Sequence, residues 1–122
     1  MRYLLVTVCF CIHMFGSASA NDGENSDEGP VVEFVFFVVS DPIEGMKAAT
    51  AIVEDAKAFN DAIISVETYQ SASNPNMLAQ RITWKSLLEA KAAFEASEKF
   101  PNMTRFMELT TEMVLFDHFY KK

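Results

Sequence analysis

Few residues of this chain are equipped for chemistry, and they lie far apart in sequence. Trp84, in the stretch RITWKS, is the only tryptophan among 122 residues. His118 lies near the C-terminus in MVLFDHFY, and the only other histidine, His13, falls in an apolar N-terminal stretch. Tyr69 stands near the end of a strand-like run, Tyr120 follows His118 at strand spacing, and Glu33 is the one charge inside VVEFVFFVV. An indole is a large apolar plate with one donor, so Trp84 suits either a pocket wall or ordinary core and interface packing. His118, with Tyr120 on its strand face and Tyr69 on the hairpin, has the group types for proton transfer to and from a phenol. The plainer expectation for His118 is a half-exposed strand residue. Glu33 reads either as a pocket carboxylate or as an outward-facing charge at an uncovered sheet position, and the second is expected. Arg81 and Glu67 are placed to pair across a hairpin, which is a structural role.

Several chemistries are short of members. A histidine-based metal site or a catalytic triad needs more than His118, and Cys9 and Cys11 both lie in the N-terminal stretch, so no cysteine nucleophile is expected either. No metal and no cofactor is expected.

The N-terminus MRYLLVTVCFCIHMFGSASA has Arg2, an apolar stretch from Tyr3 to about Phe15, then Gly16 and small residues. These are the regions of a secretory signal peptide, with Ala18-Ser19-Ala20 as the small-x-small site, so residues 1–20 are expected to be removed by cleavage after Ala20. The stretch is too short for a membrane span of roughly 20 apolar residues. Secretion to the extracellular space, with no membrane contact in the mature form, is the expectation. The mature chain would then have no disulfide and must rest on burial, helped by a partner subunit. Ten basic residues less Arg2, against seventeen acidic ones, leave a net charge near −8. Nucleic acid is therefore a poor partner. Residues 21–30 carry Asp22, Glu24, Asp27 and Glu28 with almost nothing apolar, and read as an acidic disordered leader. Calcium attraction in an extracellular matrix is a further reading, without the spacing of a calcium loop.

One domain over residues 31–122 must position the candidate groups. Val31–Val39 reads as a strand that is apolar on both faces apart from Glu33, so it is expected to be covered on both sides. Asp41-Pro42 opens a helix to about Asn60, with Met46, Ala49, Val53 and Ala56 on one face. Ala62–Gln70 and Met77–Lys85 read as strands joined by the turn cluster SASNPN into a hairpin; Leu78, Gln80, Ile82 and Trp84 share one face. Ser86 and Glu89 have capping-box spacing and open a helix to about Lys99, interrupted by Pro101 and followed by a shorter one. Met113–Tyr120 is the last strand, with Val114, Phe116, His118 and Tyr120 expected on one face and Met113, Leu115, Asp117 and Phe119 on the other.

The order β-α-β-β-α-β is that of a ferredoxin-like α+β fold, an antiparallel sheet with its helices on one face. The second apolar face of the outer sheet side then calls for a copy of the chain, so a homodimer is expected. Asn102-Met103-Thr104 is an N-glycosylation sequon just after Pro101, which makes a glycoprotein conceivable in a secreted chain.

On VETYQ, the Asn/Pro turn, LAQRITWKS, the helix with Ala92-Ala93-Phe94 and the later Phe100, the chain resembles the antibiotic biosynthesis monooxygenase (ABM) domain of the dimeric α/β-barrel superfamily, over about Val31 to Tyr120. The resemblance implies two sheets face to face in a dimer and a pocket between the sheet and helices of each subunit. Phe36, Trp84 and Phe94 are its expected lining. Some members of that family oxidise polycyclic aromatic compounds with oxygen alone, and others bind and degrade haem with a strand Asn, a Trp and a His. Only the Trp has a counterpart, Trp84; the first strand has no Asn and no His lies between Trp84 and His118, so haem is not expected. The fold alone does not assign an activity. The expected function is a secreted, non-catalytic dimeric barrel that binds a small apolar ligand or serves in a matrix or secretion. The other reading is a cofactor-independent monooxygenase of aromatic molecules, for which Trp84, His118 and Tyr69 are the candidate catalytic residues.

Overall fold

A computed structural model describes residues 29–122 of the chain. The expected signal segment, its cleavage point at Ala20 and most of the acidic leader lie outside the described residues.

The strand β1 (Val31–Val39) is an inner strand of the sheet: it pairs antiparallel with β3 (Met77–Trp84) and with β4 (Thr110–Phe119), while β2 (Ile63–Gln70) pairs antiparallel with β3. The sheet order is β2-β3-β1-β4, which is the ferredoxin-like arrangement of an α+β fold. Three helices cover one face: α1 (Pro42–Phe59), α2 (Leu87–Ala96) with a 3₁₀ turn at Ser97–Lys99, and α3 (Met103–Leu109).

Helix starts follow their caps. The Asp41 carboxylate accepts from the backbone N–H of Ile43 and Glu44 at 3.0 and 3.1 Å, and Pro42 takes the first helical position. The Ser86 hydroxyl accepts from the Glu89 N–H at 3.2 Å and donates to the Glu89 carboxylate at 3.2 Å, so the N-cap half of the capping box is formed. α1 lies close on the sheet at Gly45, where a Cβ would stand 2.8 Å from the Val39 methyl carbons.

Period-2 alternation decides what each strand buries. In β1, Val31, Glu33, Val35, Phe37 and Val39 are buried under the helices, and the residues between them are half-buried on the other face. β3 sends Leu78, Gln80, Ile82 and Trp84 inward. The core forms two clusters, one around Trp84 with Val31, Ile82, Leu87 and Ala90, the other around Phe37 with Val35, Val39, Ala49 and Leu78. Glu33 falls between Val31 of the first and Val35 of the second, and Gln80 between Ile82 and Leu78. The core therefore divides where its buried polar side chains sit.

β4 departs from the expected facing. Phe36 is opposite Leu115 but Phe37 is opposite Met113, so Val114 is an extra, bulged residue. Val114 is consequently exposed, and Met113 turns to the helix face with Phe116 and His118. β4 also begins at Thr110 rather than Met113, and α2 ends at Ala96 rather than running to Lys99. The opposite face of the sheet carries Val32, Phe34, Phe36 and Val38, with the exposed Leu115 and Phe119 of β4 beside them.

Candidate functional site

Between the helix face of the sheet and the three helices lies a cavity of about 130 Å³. Its helical wall includes Val53 of α1, Ala93 and Phe94 of α2, then Phe100, Met103 and Phe106; its floor is Glu33, Val35, Gln80, Ile82, Trp84, Met113 and Phe116. The small residues make the space: Ala56, Ala90 and Ala93 stand where longer side chains would fill it. The volume is of the same order as an engineered apolar cavity of about 150 Å³ that stays dry and takes up benzene.

The floor is not wholly apolar. His118 Nε2 lies 2.9 Å from Glu33 Oε1, with the two side chains 4% and 8% exposed. The pairing is set by register, since His118 of β4 stands directly opposite Glu33 of β1. At that distance one proton lies between them, donated either by the imidazole N–H to the carboxylate or by the carboxyl O–H to the ring nitrogen. The imidazole meets the Phe116 ring edge to face at 5.6 Å, and Phe116 in turn packs on Phe94 at 4.9 Å. A charged carboxylate is costly in such surroundings unless it is paired, which is why a partner as close as His118 matters. The two can exchange a proton with a third group that enters the cavity beside Glu33.

Two more polar groups share the floor. Gln80 Nε2 and Trp84 Nε1 are buried and have no hydrogen-bond partner among the described residues. Leaving a buried donor unsatisfied costs roughly 1–3 kcal/mol. Among the described residues no group of three His, Cys, Asp or Glu is placed to hold a metal ion.

Trp84 and Phe94 both stand in the cavity wall. Phe36 does not: β1 alternates, Glu33, Val35 and Phe37 take the helix side, and Phe36 lies on the opposite face with its ring parallel to that of Phe34 at 6.4 Å. Tyr69 is also remote. It faces Ala79 on that same opposite side, half exposed, and its hydroxyl donates to Glu67 at 2.7 Å. Glu67 accepts from Arg81 as well, at 2.6 Å across the hairpin. The Tyr69 hydroxyl and then the Arg81 guanidinium hold the Glu67 carboxyl below its ordinary range, while Glu67 holds the Tyr69 phenol above its own.

The outward Glu33 and the half-exposed His118 of the sequence reading are corrected by this geometry: each is buried, and each is the other's partner. β1 is apolar on both faces, so alternation along it could not say which side Glu33 takes. Gln80 was legible on the inward face with Leu78, Ile82 and Trp84, but nothing in sequence marked its amide as unpartnered. Asn102, the sequon residue, is engaged rather than open: its side-chain amide donates to both Asp55 carboxylate oxygens at 3.0 and 3.1 Å, and its backbone N–H to one of them. A glycan at Asn102 Nδ2 would replace one of the two amide hydrogens that face Asp55.

No family model matches the chain, and no curated protein matches it. Solved structures do. SnoaB, a cofactor-independent oxygenase from Streptomyces nogalater, superposes with a TM-score of 0.66 at 15% identity, over 77% of this chain and 94% of that one. A protein from Bordetella bronchiseptica assigned as an antibiotic biosynthesis monooxygenase gives 0.57 at 18% identity, over 78% and 99%. Another so assigned, from Chloroflexus aurantiacus, gives 0.55 at 14% identity, over 76% and 93%. At these identities the likeness is one of fold: the chain has the ferredoxin-like α+β fold of ABM-domain proteins.

Proposed function

We propose that the cavity is an active site in which a phenolic aromatic molecule is oxidised by dioxygen without a cofactor. The observation that carries this reading is the buried Glu33–His118 pair, 2.9 Å apart, whose Glu33 stands on the floor of a largely apolar cavity. The oxygenase named among the structures of this fold supports the reaction class. Glu33, with His118 behind it, takes the hydroxyl proton of the phenol. The phenolate passes one electron to dioxygen, and the resulting superoxide joins the ring carbon para to the hydroxyl. Loss of water from the peroxide leaves a carbonyl there, so phenol and O₂ become quinone and water. Apolar walls suit this sequence because they exclude water from the anion.

The test measures oxygen uptake and quinone formation by the purified protein with electron-rich phenols of one to three rings. Equal consumption of oxygen and formation of quinone is expected, with Glu33→Gln slowing it by about 100-fold or more. Uptake no faster than in buffer would leave the non-catalytic ligand-binding reading in its place, and uptake unchanged in Glu33→Gln would remove the Glu33–His118 pair from the reaction.

Two further properties belong to the same proposal. Secretion rests on the N-terminal sequence MRYLLVTVCFCIHMFGSASA. Homodimerisation through the second sheet face rests on the apolar row Val32, Phe34, Phe36 and Val38, which continues into Leu115 and Phe119 of β4.

A further inference from the structure

We infer that the cavity selects a neutral, single-ring phenol that also carries an acceptor oxygen, held by Glu33 through its hydroxyl and by the N–H of Gln80 or of Trp84 through its acceptor. This rests on the cavity being the ligand site proposed above, but not on oxygenation.

Size sets the ring count. A cavity of about 130 Å³ is filled by one substituted ring. Phe94, Phe106 and Phe116 stand in its walls and supply aromatic contacts to such a ring.

Polar placement sets the substituents. Gln80, Ile82 and Trp84 are successive inward positions of β3, and Ile82 is the one opposite Glu33. Gln80 and Trp84 thus flank the level of Glu33 along the strand, each about 7 Å of backbone rise from it, which is of the order of the span between the two para substituents of one ring. Both donors are buried without a partner. An apolar ligand of the right shape would leave them so, whereas an acceptor oxygen restores one of the hydrogen bonds that burial removed. On the other side of the same floor the Glu33–His118 pair accepts a hydroxyl proton. A ring bearing a carboxylate is disfavoured, because it would bring a second anionic group beside Glu33 and apolar walls. The ligand chemistry left is a neutral ring with a hydroxyl and a carbonyl-like or nitro-like acceptor.

4-Nitrophenol is the probe, since its para carbon is blocked and binding is read without turnover. Calorimetry on the purified protein, in a buffer acidic enough to keep 4-nitrophenol un-ionised since it is a phenol that ionises near neutral pH, would compare it with toluene and with 4-nitroanisole, which lacks the hydroxyl proton. In the wild type 4-nitrophenol should bind at least about tenfold more tightly than either, the worth of one or two net hydrogen bonds. In the double variant Gln80→Met/Trp84→Phe that preference over toluene should fall by roughly five- to tenfold while toluene affinity is kept. Equal wild-type affinity for toluene or 4-nitroanisole, or a preference undiminished in the double variant, would overturn the inference. Should the double variant lose toluene binding and hence its fold, the wild-type series decides alone. Preference for 4-nitrophenol without oxygen uptake by any phenol would sink the oxygenase reading and leave this one standing. Turnover of three-ring phenols with no binding of 4-nitrophenol would do the reverse.

Discussion

His118 and Glu33 are each other's reason for being tolerated in the core. Each alone would be a buried polar group facing Phe116, Val35 and Ile82, and the pair replaces that cost with one short hydrogen bond. Removing one partner should therefore hurt more than removing both. His118→Leu is expected to lower unfolding stability by about 3 kcal/mol, and Glu33→Leu/His118→Leu to recover much of it, as measured by urea titration of all three proteins. A double variant that recovers nothing over His118→Leu would contradict the pairing. On the far face of the hairpin, Tyr69 and Glu67 move each other's titration in opposite directions. The phenol is raised, so its contribution to stability is complete below the unfolded value near 10 and is lost as pH rises through the folded value. The carboxyl is lowered, so its contribution is present above the unfolded value near 4.5 and is lost as pH falls through the folded one. Glu67→Gln should bring the Tyr69 titration back down toward about 10, followed by the ultraviolet absorbance of the phenolate.

At the scale of elements, α1 approaches the sheet closely at Gly45, and the cavity opens further along it where Ala56, with Ala90 and Ala93 of α2, leaves the space unfilled. Gly45 lets α1 settle onto Val39, with no room for a methyl group between them. Gly45→Ala should destabilise the protein by about 1–3 kcal/mol even though alanine is the better helix former, because the added carbon meets a β-branched side chain fixed in the core. Adding Val39→Ala should relieve the clash, and a thermal melt in which Gly45→Ala alone is neutral or stabilising would contradict the close approach. Toward the other end of α1, Asp55 takes three hydrogen bonds from Asn102 and so holds the chain just before α3. That contact places Met103 and Phe106 in the cavity wall. A sequon read from sequence alone thus proves to be a tie between two elements.

The molecule as a whole presents a sheet with helices on one face and an apolar row on the other. An association through that row should be broken by a charge at its centre: Phe36→Lys is expected to halve the mass seen in sedimentation at micromolar concentration, leaving the cavity side of β1 unchanged. A wild type that already sediments at the mass of one chain would remove the dimer. The sequence by itself determined the element order, the caps at Asp41 and Ser86, the hairpin and its Glu67–Arg81 pair, because these depend on local propensity, period and short-range spacing. It also placed Trp84 and Gln80 on one face of β3. It could not say which face of β1 the helices cover, since both are apolar, and so it misplaced Glu33 and Phe36. Nor could it see the bulge at Val114, which exchanges Val114 for Met113 on the cavity side. Only the pairing of β1 with β4, residues 85 positions apart in the chain, set His118 against Glu33. Strand register across the sheet is a long-range property, and the proposed site is made of it.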